Sequence, residues 1–292
     1  MAHSNGLVYL VGAGPGDPEL MTLKGLRCLR AADVIVYDRL ISPILLEEAP
    51  PEAERVFVGK ASGCHTLPQE KINALLIAHA RKGRVVVRLK GGDPFLFGRG
   101  GEEAAALIEA GIPYEIVPGV TSAIAAPAYA GIPVAHRNYA AQVTIATGHE
   151  STADGPAASI NWEALAKLGG TLVILMGLAN LANISSRLIS YGMSPLTPAA
   201  VIEQGTLPAQ RVVTGALDQI AAQVRVAEIR SPAIIVVGAV AALHESLAWF
   251  DKCPTDESLL DGYPGEIHKL FEEAPLPQRR LLAGSTLREP RS

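Results

Sequence analysis

Short apolar runs alternate along the chain with stretches whose apolar residues recur at helical spacing. In the first half the runs are LVYLVG at 7–12, DVIVYD at 33–38, RVFVG at 55–59 and RVVVRLKG at 84–91. They are continuously apolar and rich in valine and isoleucine, as is typical of strands that helices cover on both faces. The pattern therefore predicts an α/β fold.

A helix is predicted between the third and fourth runs. Pro68 stands at a favoured first-turn position, and Gly83 follows the last apolar residue of the pattern. Ile72 and Leu76 fall on one helical face together with His79. We expect His79 to be a helix-surface residue and not a ligand.

A second series of strand-length runs follows Arg137. It comprises QVTIATG at 142–148, TLVILMG at 171–177, AAVIEQG at 199–205, QRVVTG at 210–215 and AIIVVGAV at 233–240. We therefore predict an N-terminal α/β domain over residues 1–138 and a C-terminal α/β domain over 139–244. The proline- and charge-rich remainder, 245–292, is predicted to be an extension that is partly flexible or packs across another element.

Composition narrows the possible partners and the compartment. The net charge is −4 and the isoelectric point is near 6.0, so no general attraction to nucleic acid or to an anionic membrane is expected. Cys28, Cys64 and Cys253 form no C-x-x-C pair, and the short polar amino terminus shows no signal-peptide or membrane-spanning pattern. These features predict a cytoplasmic protein.

The segment GGDPFLFGRGGEE at 91–103 is the strongest indication of a binding site. Its glycines let the backbone pass close to a ligand, and Asp93 is able to accept a hydrogen bond from a hydroxyl or an amine. The segment joins an apolar strand to a helix-like stretch, and ligands of open α/β sheets collect at such carboxyl ends of strands. A tight turn alone would not need five glycines together with Arg99 and Glu102.

The first strand also ends in a glycine turn, Gly12-Ala13-Gly14-Pro15-Gly16-Asp17. A dinucleotide-binding fingerprint would have glycine where this chain has Asp17, and a carboxylate there repels phosphates. Pro15 in addition stiffens the turn. The turn is better suited to lining a pocket wall than to holding a pyrophosphate.

Six segments occur in the order VGAGPGDPELMTLKG, VYDRL, VGK, GGDPFLFGRGGEE, PGVTSA and GIPVAHR. Together they closely resemble the tetrapyrrole methylase family over about residues 6–244, and the run at 91–103 with Asp38-Arg39-Leu40 is close to diagnostic. The resemblance implies two α/β domains with a ligand cleft between them, a fold that differs from the usual Rossmann-like methyltransferase. It also implies a homodimer.

The resemblance further implies an S-adenosylmethionine-dependent methyltransferase, with S-adenosylhomocysteine as its product. The family's positions around the methyl donor match Pro15, Gly91, Gly92, Asp93, Leu96, Thr121, Ser122, Met176, Gly205 and, more weakly, Ala233. Small residues and backbone groups suit a pocket for such a donor. Met176 either packs on the adenine ring or fills the core.

Within the family, the chain most resembles members that methylate uroporphyrinogen III at C2 and C7, giving precorrin-2 by way of precorrin-1. This acceptor carries eight carboxylates, so an acidic protein must hold it with clustered cations. The candidates are Arg39, Lys60, Arg99 and Arg137, with His136 as a further substrate contact.

The resemblance also points to residues for proton transfer. Asp38 matches the family's proposed proton acceptor and Lys60 its proposed donor. Arg99 stays protonated, so carboxylate binding is the favoured role for it. Glu102 either orients Arg99 or contacts a pyrrole N–H, and the choice between Asp38 and Glu102 as the base is open. No metal site is expected, because Cys64-His65 lacks further ligands at metal spacing.

Three alternatives compete with this hypothesis. Relatives of the same fold act on later corrinoid precursors, diphthamide precursors or ribosomal RNA, but the Asp38-Arg39-Leu40 and 98–103 segments argue against them. A nucleotide-dependent oxidoreductase would use the opening glycine turn. A non-catalytic tetrapyrrole-binding protein would have retained only the fold.

The chain shows no segment resembling the dehydrogenase and ferrochelatase half of fused sirohaem synthases, so methylation alone is expected. Whether the product enters sirohaem, cobalamin or haem d1 synthesis is open.

Overall fold

The computed structural model describes residues 6–59, 67–149 and 160–250, all of which belong to one compact unit. Five strands form a first, entirely parallel sheet in the order β3-β2-β4-β1-β5. They are β1 (Leu7–Gly12), β2 (Val34–Tyr37), β3 (Glu54–Phe57), β4 (Val85–Lys90) and β5 (Tyr114–Val117). Because all strands run in the same direction, the loops that follow them collect at one edge of the sheet.

Helices cover both faces of this sheet, as the continuously apolar strands require. The helices are α1 (Leu23–Arg30), α2 (Pro43–Glu47), α3 (Gln69–Ala80) and α4 (Gly100–Glu109). Leu29 of α1 packs on one face with Val11 and Leu89, and Leu76 of α3 packs on the other face with Leu10. The α1 face has an apolar core, whereas the face that packs against α3 and α4 also buries charged side chains of β4 and α4.

A second sheet has the order β6-β7-β10-β8-β9. Its strands are β6 (Val143–Thr147), β7 (Thr171–Leu175), β8 (Pro198–Glu203), β9 (Arg211–Ala216) and β10 (Ala233–Val237). Only β6 and β7 are parallel, and the other neighbours are antiparallel. On one face lie α6 (Trp162–Leu168), α7 (Leu181–Ser190) and α8 (Ile220–Val226), which contribute Trp162, Ile184 and Ile220 to the core.

Helix α5 (Ser122–Tyr129) follows the last strand of the first sheet but packs on the second sheet. Ala123 and Ala126 share a core with Val173 of β7 and Ile234 of β10. The short helix α9 (His244–Leu247) then returns to α5, and the indole N–H of Trp249 donates to the carbonyl of Ala128 at 2.9 Å. Trp249 and Phe250 also place their rings beside Tyr129 of α5, with centroids 5.2 and 5.0 Å away.

The apolar runs predict nine strands, and each is present. The sequence analysis missed β5, which is an edge strand of four residues that includes Glu115. His79 was expected on the helix surface, but the structure corrects this, because His79 is buried at 7% exposure on the face of α3 that meets the sheet. No helix in the described ranges is both long and apolar enough to span a membrane.

Candidate functional site

Three glycines from different strand ends meet at the carboxyl edge of the first sheet. A Cβ added to Gly119 would stand 2.3 Å from the carbonyl oxygen of Gly92 and 2.7 Å from Cα of Gly12. Gly14 and Gly92 also exchange two backbone hydrogen bonds, at 3.3 and 2.6 Å. Glycine is therefore required at these positions because the loops after β1, β4 and β5 are in backbone contact.

Asp93 cross-links two of these loops. One carboxylate oxygen accepts from the backbone N–H of Phe95 at 2.8 Å, and the other accepts from the N–H of Gly119 at 3.1 Å. A predicted cofactor residue thus has a clear local role, since it shapes the turn and joins the ends of β4 and β5. Gly91 lies against the side chain of Leu40. A Cβ added to Gly91 would stand 3.1 Å from the Cβ of Leu40.

Arg99 and Glu102 form an exposed ion pair at the start of α4. The guanidinium donates to both carboxylate oxygens of Glu102, at 2.8 and 2.6 Å. This hydrogen bond lowers the pKa of Glu102 below its ordinary value. Arg99 has a φ of 58°, in the left-handed region that non-glycine residues rarely adopt, and such strain is common at functional sites. The structure therefore brings together two residues that the sequence placed in one site.

Asp38 follows β2 directly and its side chain is 30% exposed. One carboxylate oxygen lies 3.3 Å from a terminal nitrogen of Arg88. Arg39 is exposed in the next turn, and Gly59 lies against it, because a Cβ there would be 2.7 Å from the backbone nitrogen of Arg39. The turn that carries Asp38 is thus fixed between the ends of β3 and β4.

Sequence reasoning missed a buried charged cluster next to Asp38. Arg88 and Lys90, both on β4, pair with the fully buried Glu103 at 3.0 and 3.1 Å, and Gln69 donates to the same carboxylate at 3.2 Å. Burial lowers the pKa of Lys90, the neighbouring Arg88 lowers it further, and Glu103 opposes both effects. The signal was visible in the sequence, because Arg88 and Lys90 interrupt a run that is otherwise apolar.

The predicted residues of the second sheet lie at the edge that faces these loops. Met176 follows β7 and is half-exposed, Gly205 follows β8, and Ala233 begins the antiparallel strand β10 opposite Glu203. A Cβ on Gly205 would stand 2.4 Å from Cβ of Ala126 in α5. Among the described non-glycine residues, a positive φ occurs at Phe97, Arg99, Met176, Gln204, Thr206 and Glu228. Five of these six lie in loops that carry predicted cofactor residues.

Helix α5 begins at this same edge. Thr121 is its N-cap and accepts from the N–H of Ala123 at 3.2 Å, and Ser122 is the first helical residue. Leu96, from the loop after β4, packs on the core formed by α5 and the second sheet. The unpaired backbone N–H groups of a helix N-terminus favour an anionic group. Thr121 and Ser122 thus fit a ligand with a carboxylate tail.

The opening glycine turn is joined to the second sheet. The backbone N–H of Asp17 donates to the hydroxyl of Thr206 at 3.1 Å, and the hydroxyl of Tyr129 donates to the Asp17 carboxylate at 2.8 Å. Burial, followed by this hydrogen bond, raises the pKa of Tyr129. Gly16 allows the approach, because a Cβ there would meet Thr206 at 2.9 Å. Pro15 therefore lies in a turn that both halves hold in place.

Two groups of predicted residues are not tied to this site by described contacts. His136 and Arg137 lie in a turn with local contacts, in which Nδ1 of His136 accepts from the N–H of Asn138 at 3.2 Å and the His136 ring packs on Tyr139. Lys60, Cys64 and His65 lie outside the described residues. Within the described ranges, no group of three or more histidine, cysteine or acidic side chains is arranged to hold a metal ion.

The geometry suits a ligand of mixed character. Backbone groups and small residues surround one part of the edge, the N-terminus of α5 faces it, and charged side chains of the first sheet lie beside it.

The family model described as Tetrapyrrole (Corrin/Porphyrin) Methylases matches residues 7–221 of the chain.

Similar proteins cover most of the chain. An S-adenosyl-L-methionine-dependent uroporphyrinogen III methyltransferase from Methanosarcina barkeri is 51% identical over 247 residues, which are 85% of this chain and 96% of the relative. A siroheme synthase from Neisseria meningitidis is 53% identical over 248 residues, 85% of this chain but 51% of that protein. The chain thus spans about half the length of this synthase.

A solved structure shares the fold. The crystal structure of uroporphyrin-III C-methyl transferase from Thermus thermophilus, complexed with S-adenyl homocysteine, superposes with a TM-score of 0.70 at 40% identity. The match covers 82% of this chain and 100% of that one. The two-sheet α/β architecture expected from the sequence is therefore confirmed.

Proposed function

Because the chain belongs to the tetrapyrrole (corrin/porphyrin) methylase family, we propose that it transfers methyl groups from S-adenosylmethionine to C2 and C7 of uroporphyrinogen III. The products are precorrin-2, formed by way of precorrin-1, and S-adenosylhomocysteine. The observation that supports the proposal is the contact between loops that carry predicted donor residues. The loops after β1, β4 and β5 touch through their backbones, and Thr206, next to Gly205, accepts from the backbone N–H of Asp17.

The residues at this edge fit the methyl donor. When bound, S-adenosylmethionine supplies an electrophilic methyl group on a sulfonium. The glycine contacts at Gly12, Gly92 and Gly119 leave backbone without side chains, and Thr121 with Ser122 presents helix N–H groups to a carboxylate. Gly205, Met176 and Ala233 provide small or apolar surface from the second sheet.

Cations beside the donor edge suit the polyanionic acceptor. Arg39 is exposed next to Asp38. Arg99 already binds one carboxylate, that of Glu102, through a bidentate pair of hydrogen bonds. A substrate carboxylate would exchange with or join Glu102 on the guanidinium, whose planar fork binds two oxygens at once. Arg137, His136 and Lys60 complete the proposed acceptor site on the strength of the family resemblance alone.

Asp38 is proposed as the base that takes up the proton released after methylation. Its carboxylate is partly exposed at the carboxyl end of β2, and Arg88 holds it from the buried side. Glu102 is less suited, because Arg99 engages both of its oxygens and lowers its pKa. Lys60 keeps its proposed role as proton donor on the resemblance.

The proposal is tested by incubating the purified protein with uroporphyrinogen III and labelled S-adenosylmethionine. Mono- and dimethylated products are expected in succession. Transfer to precorrin-2 in preference to uroporphyrinogen III would instead indicate a relative that acts later on corrinoids. Binding of S-adenosylhomocysteine without any transfer would indicate a non-catalytic tetrapyrrole-binding protein.

A nucleotide-dependent oxidoreductase is disfavoured by the opening turn. The Asp17 carboxylate is occupied by Tyr129 and by the backbone N–H of Glu19, at 2.8 and 2.9 Å, so this negative charge is built into the turn. Calorimetric titration with NAD and with S-adenosylhomocysteine separates the two classes, and we expect binding of the second compound only.

We further propose a cytoplasmic homodimer that does not bind nucleic acid. The dimer rests on the family resemblance, and the compartment and the lack of nucleic-acid binding rest on the composition of the chain. Light scattering of the purified chain measures its mass in solution, and a monomer at micromolar concentration would contradict the dimer.

A further inference from the structure

The central strand of the first sheet carries two cations inside the protein. Arg88 and Lys90 of β4 are each 4% exposed, on the sheet face that packs against α3 and α4. Burying a charge costs free energy unless it is paired and hydrogen-bonded, and apolar side chains of similar size are often as stable or more so. A purely structural need for this strand would be met by valine or leucine.

The partners of these cations are arranged asymmetrically. The Arg88 Nε, the Lys90 Nζ and the Gln69 amide all donate to Oε1 of Glu103, at 3.0, 3.1 and 3.2 Å. Glu103 is fully buried in the first turn of α4, where the helix dipole favours a carboxylate. One buried carboxylate thus neutralises one of the two cations, and the second cation requires another anion.

That anion is Asp38. Strand register pairs Val36 with Arg88, and Asp38 follows two residues later on the same face of the sheet. Arg88 donates through Nη1 to the carbonyls of Val36 and Leu89, at 3.3 and 3.2 Å, and through Nη2 to Asp38 at 3.3 Å. Every nitrogen of the guanidinium is therefore engaged, and the side chain has no freedom to follow movements of Asp38.

We propose that Arg88, locked in place by Glu103, is the positioning residue that sets the orientation of the Asp38 carboxylate toward the acceptor. The inference rests on the role of Asp38 as base in the proposed function. It assigns to the buried cluster the task of holding one oxygen of Asp38 while the exposed side of the carboxylate meets the substrate.

An arginine suits this task better than a lysine. Its fork reaches Glu103 and Asp38 at the same time, whereas an ammonium is a single point of contact. Arginine also keeps its charge when buried, whereas burial lowers the pKa of the adjacent Lys90.

The test compares Arg88→Lys, Asp38→Asn and the double variant with wild type, and uses Arg84→Lys as a matched control. Arg84 precedes the same strand, but its ion pair with Glu54, at 2.5 Å, is partly exposed. For Arg88→Lys we expect kcat to fall about 100-fold, as for a misplaced catalytic group. We expect its KM for uroporphyrinogen III and its affinity for S-adenosylhomocysteine to stay within about twofold of wild type. The double variant should be no slower than Asp38→Asn alone.

A merely stabilising role gives a different result. Arg88→Lys would then lower the melting temperature but keep the wild-type kcat per folded molecule, or, if it acts independently of Asp38, it would lower kcat by the same factor in the Asp38→Asn background as in wild type. Either outcome overturns the inference. Full activity of Asp38→Asn overturns it as well, together with the proposed base.

Crystal structures of the Arg88→Lys and Arg84→Lys proteins decide the matter without an activity assay. We expect the Asp38 carboxylate to turn away from its wild-type direction only in the first. An unchanged Asp38 in Arg88→Lys contradicts the inference. Absence of methyl transfer in the wild-type protein would count against the proposed function, while the orientation of Asp38 would still be measured.

Discussion

The two sheets bring different chemistry to the edge at which they meet. The first sheet contributes charges, both exposed and buried, and its central strand carries two cations through the core. The second sheet contributes Met176, Gly205 and Ala233 to that edge, and its buried carboxylate, Glu203, is paired with Arg211 of β9. The charged residues of the first sheet are Asp38, Arg88, Lys90, Arg99, Glu102 and Glu103. Under the proposed function, proton transfer and anion binding therefore belong to the half built on the first sheet, while the other half shapes the donor pocket.

The most severe test removes the proposed base from the charged half. Asp38→Ala should lower turnover by about 100-fold or more, the usual contribution of a positioned base, while S-adenosylhomocysteine still binds as in wild type. Labelled-methyl transfer and calorimetry measure the two effects. The control is Asp218→Ala, an exposed aspartate beside β9 of the second sheet. Unchanged turnover in Asp38→Ala would remove this residue from the mechanism.

A substitution in the half built on the second sheet should instead weaken binding of the methyl donor. In Gly205→Ala the new Cβ would lie 2.4 Å from Cβ of Ala126, so the turn after β8 must move away from α5. Overpacking of this kind destabilises a folded protein by about 1–3 kcal/mol, and we expect the displaced turn to bind S-adenosylhomocysteine less tightly than in wild type. Gly101→Ala is the control, because nothing lies within 4 Å of its Cβ. Equal affinities for the two variants would contradict the placement of the donor beside Gly205.

Arg99→Lys should separate acceptor binding from donor binding within the half built on the first sheet. The variant keeps the charge but loses the planar fork, so the KM for uroporphyrinogen III should rise about tenfold. Donor affinity should change little, because the proposed function assigns Arg99 to the acceptor. Arg81→Lys, at the exposed end of α3, serves as the control. Steady-state kinetics with each compound varied in turn tests this, and parallel losses for donor and acceptor would contradict it.

The smallest effect concerns stability. Burial lowers the pKa of His79 below its ordinary 6.5, so the unfolded chain binds more protons in this pH range and the free energy of unfolding falls as the solution is acidified below about 6.5. In His79→Gln this fall should be smaller. Urea unfolding at several pH values between about 7 and 5 measures it. A fall equal to that of wild type would show that His79 is not the group responsible.

The strands were predictable because buried strands need continuous apolar residues, and the loops after them carry glycines in unusual number. Strand β5 was missed because four residues including Glu115 give too weak a pattern. The antiparallel pairing of β8, β9 and β10 depends on long-range packing that no local pattern encodes. Arg88 and Lys90 interrupt an apolar run, which indicates buried charges, but their partners do not follow from the sequence. Only the register of β4 against β2 shows that Arg88 meets Asp38.

Helix α5 has a consequence for building hybrid enzymes. It follows the first sheet in the chain, but its alanines are packed into the second sheet, and it carries Tyr129, which reaches back to Asp17. An exchange of halves between two such proteins should therefore be joined ahead of Thr121, so that α5 travels with the strands it covers. A junction placed after α5 would separate these alanines from the surface they evolved to match.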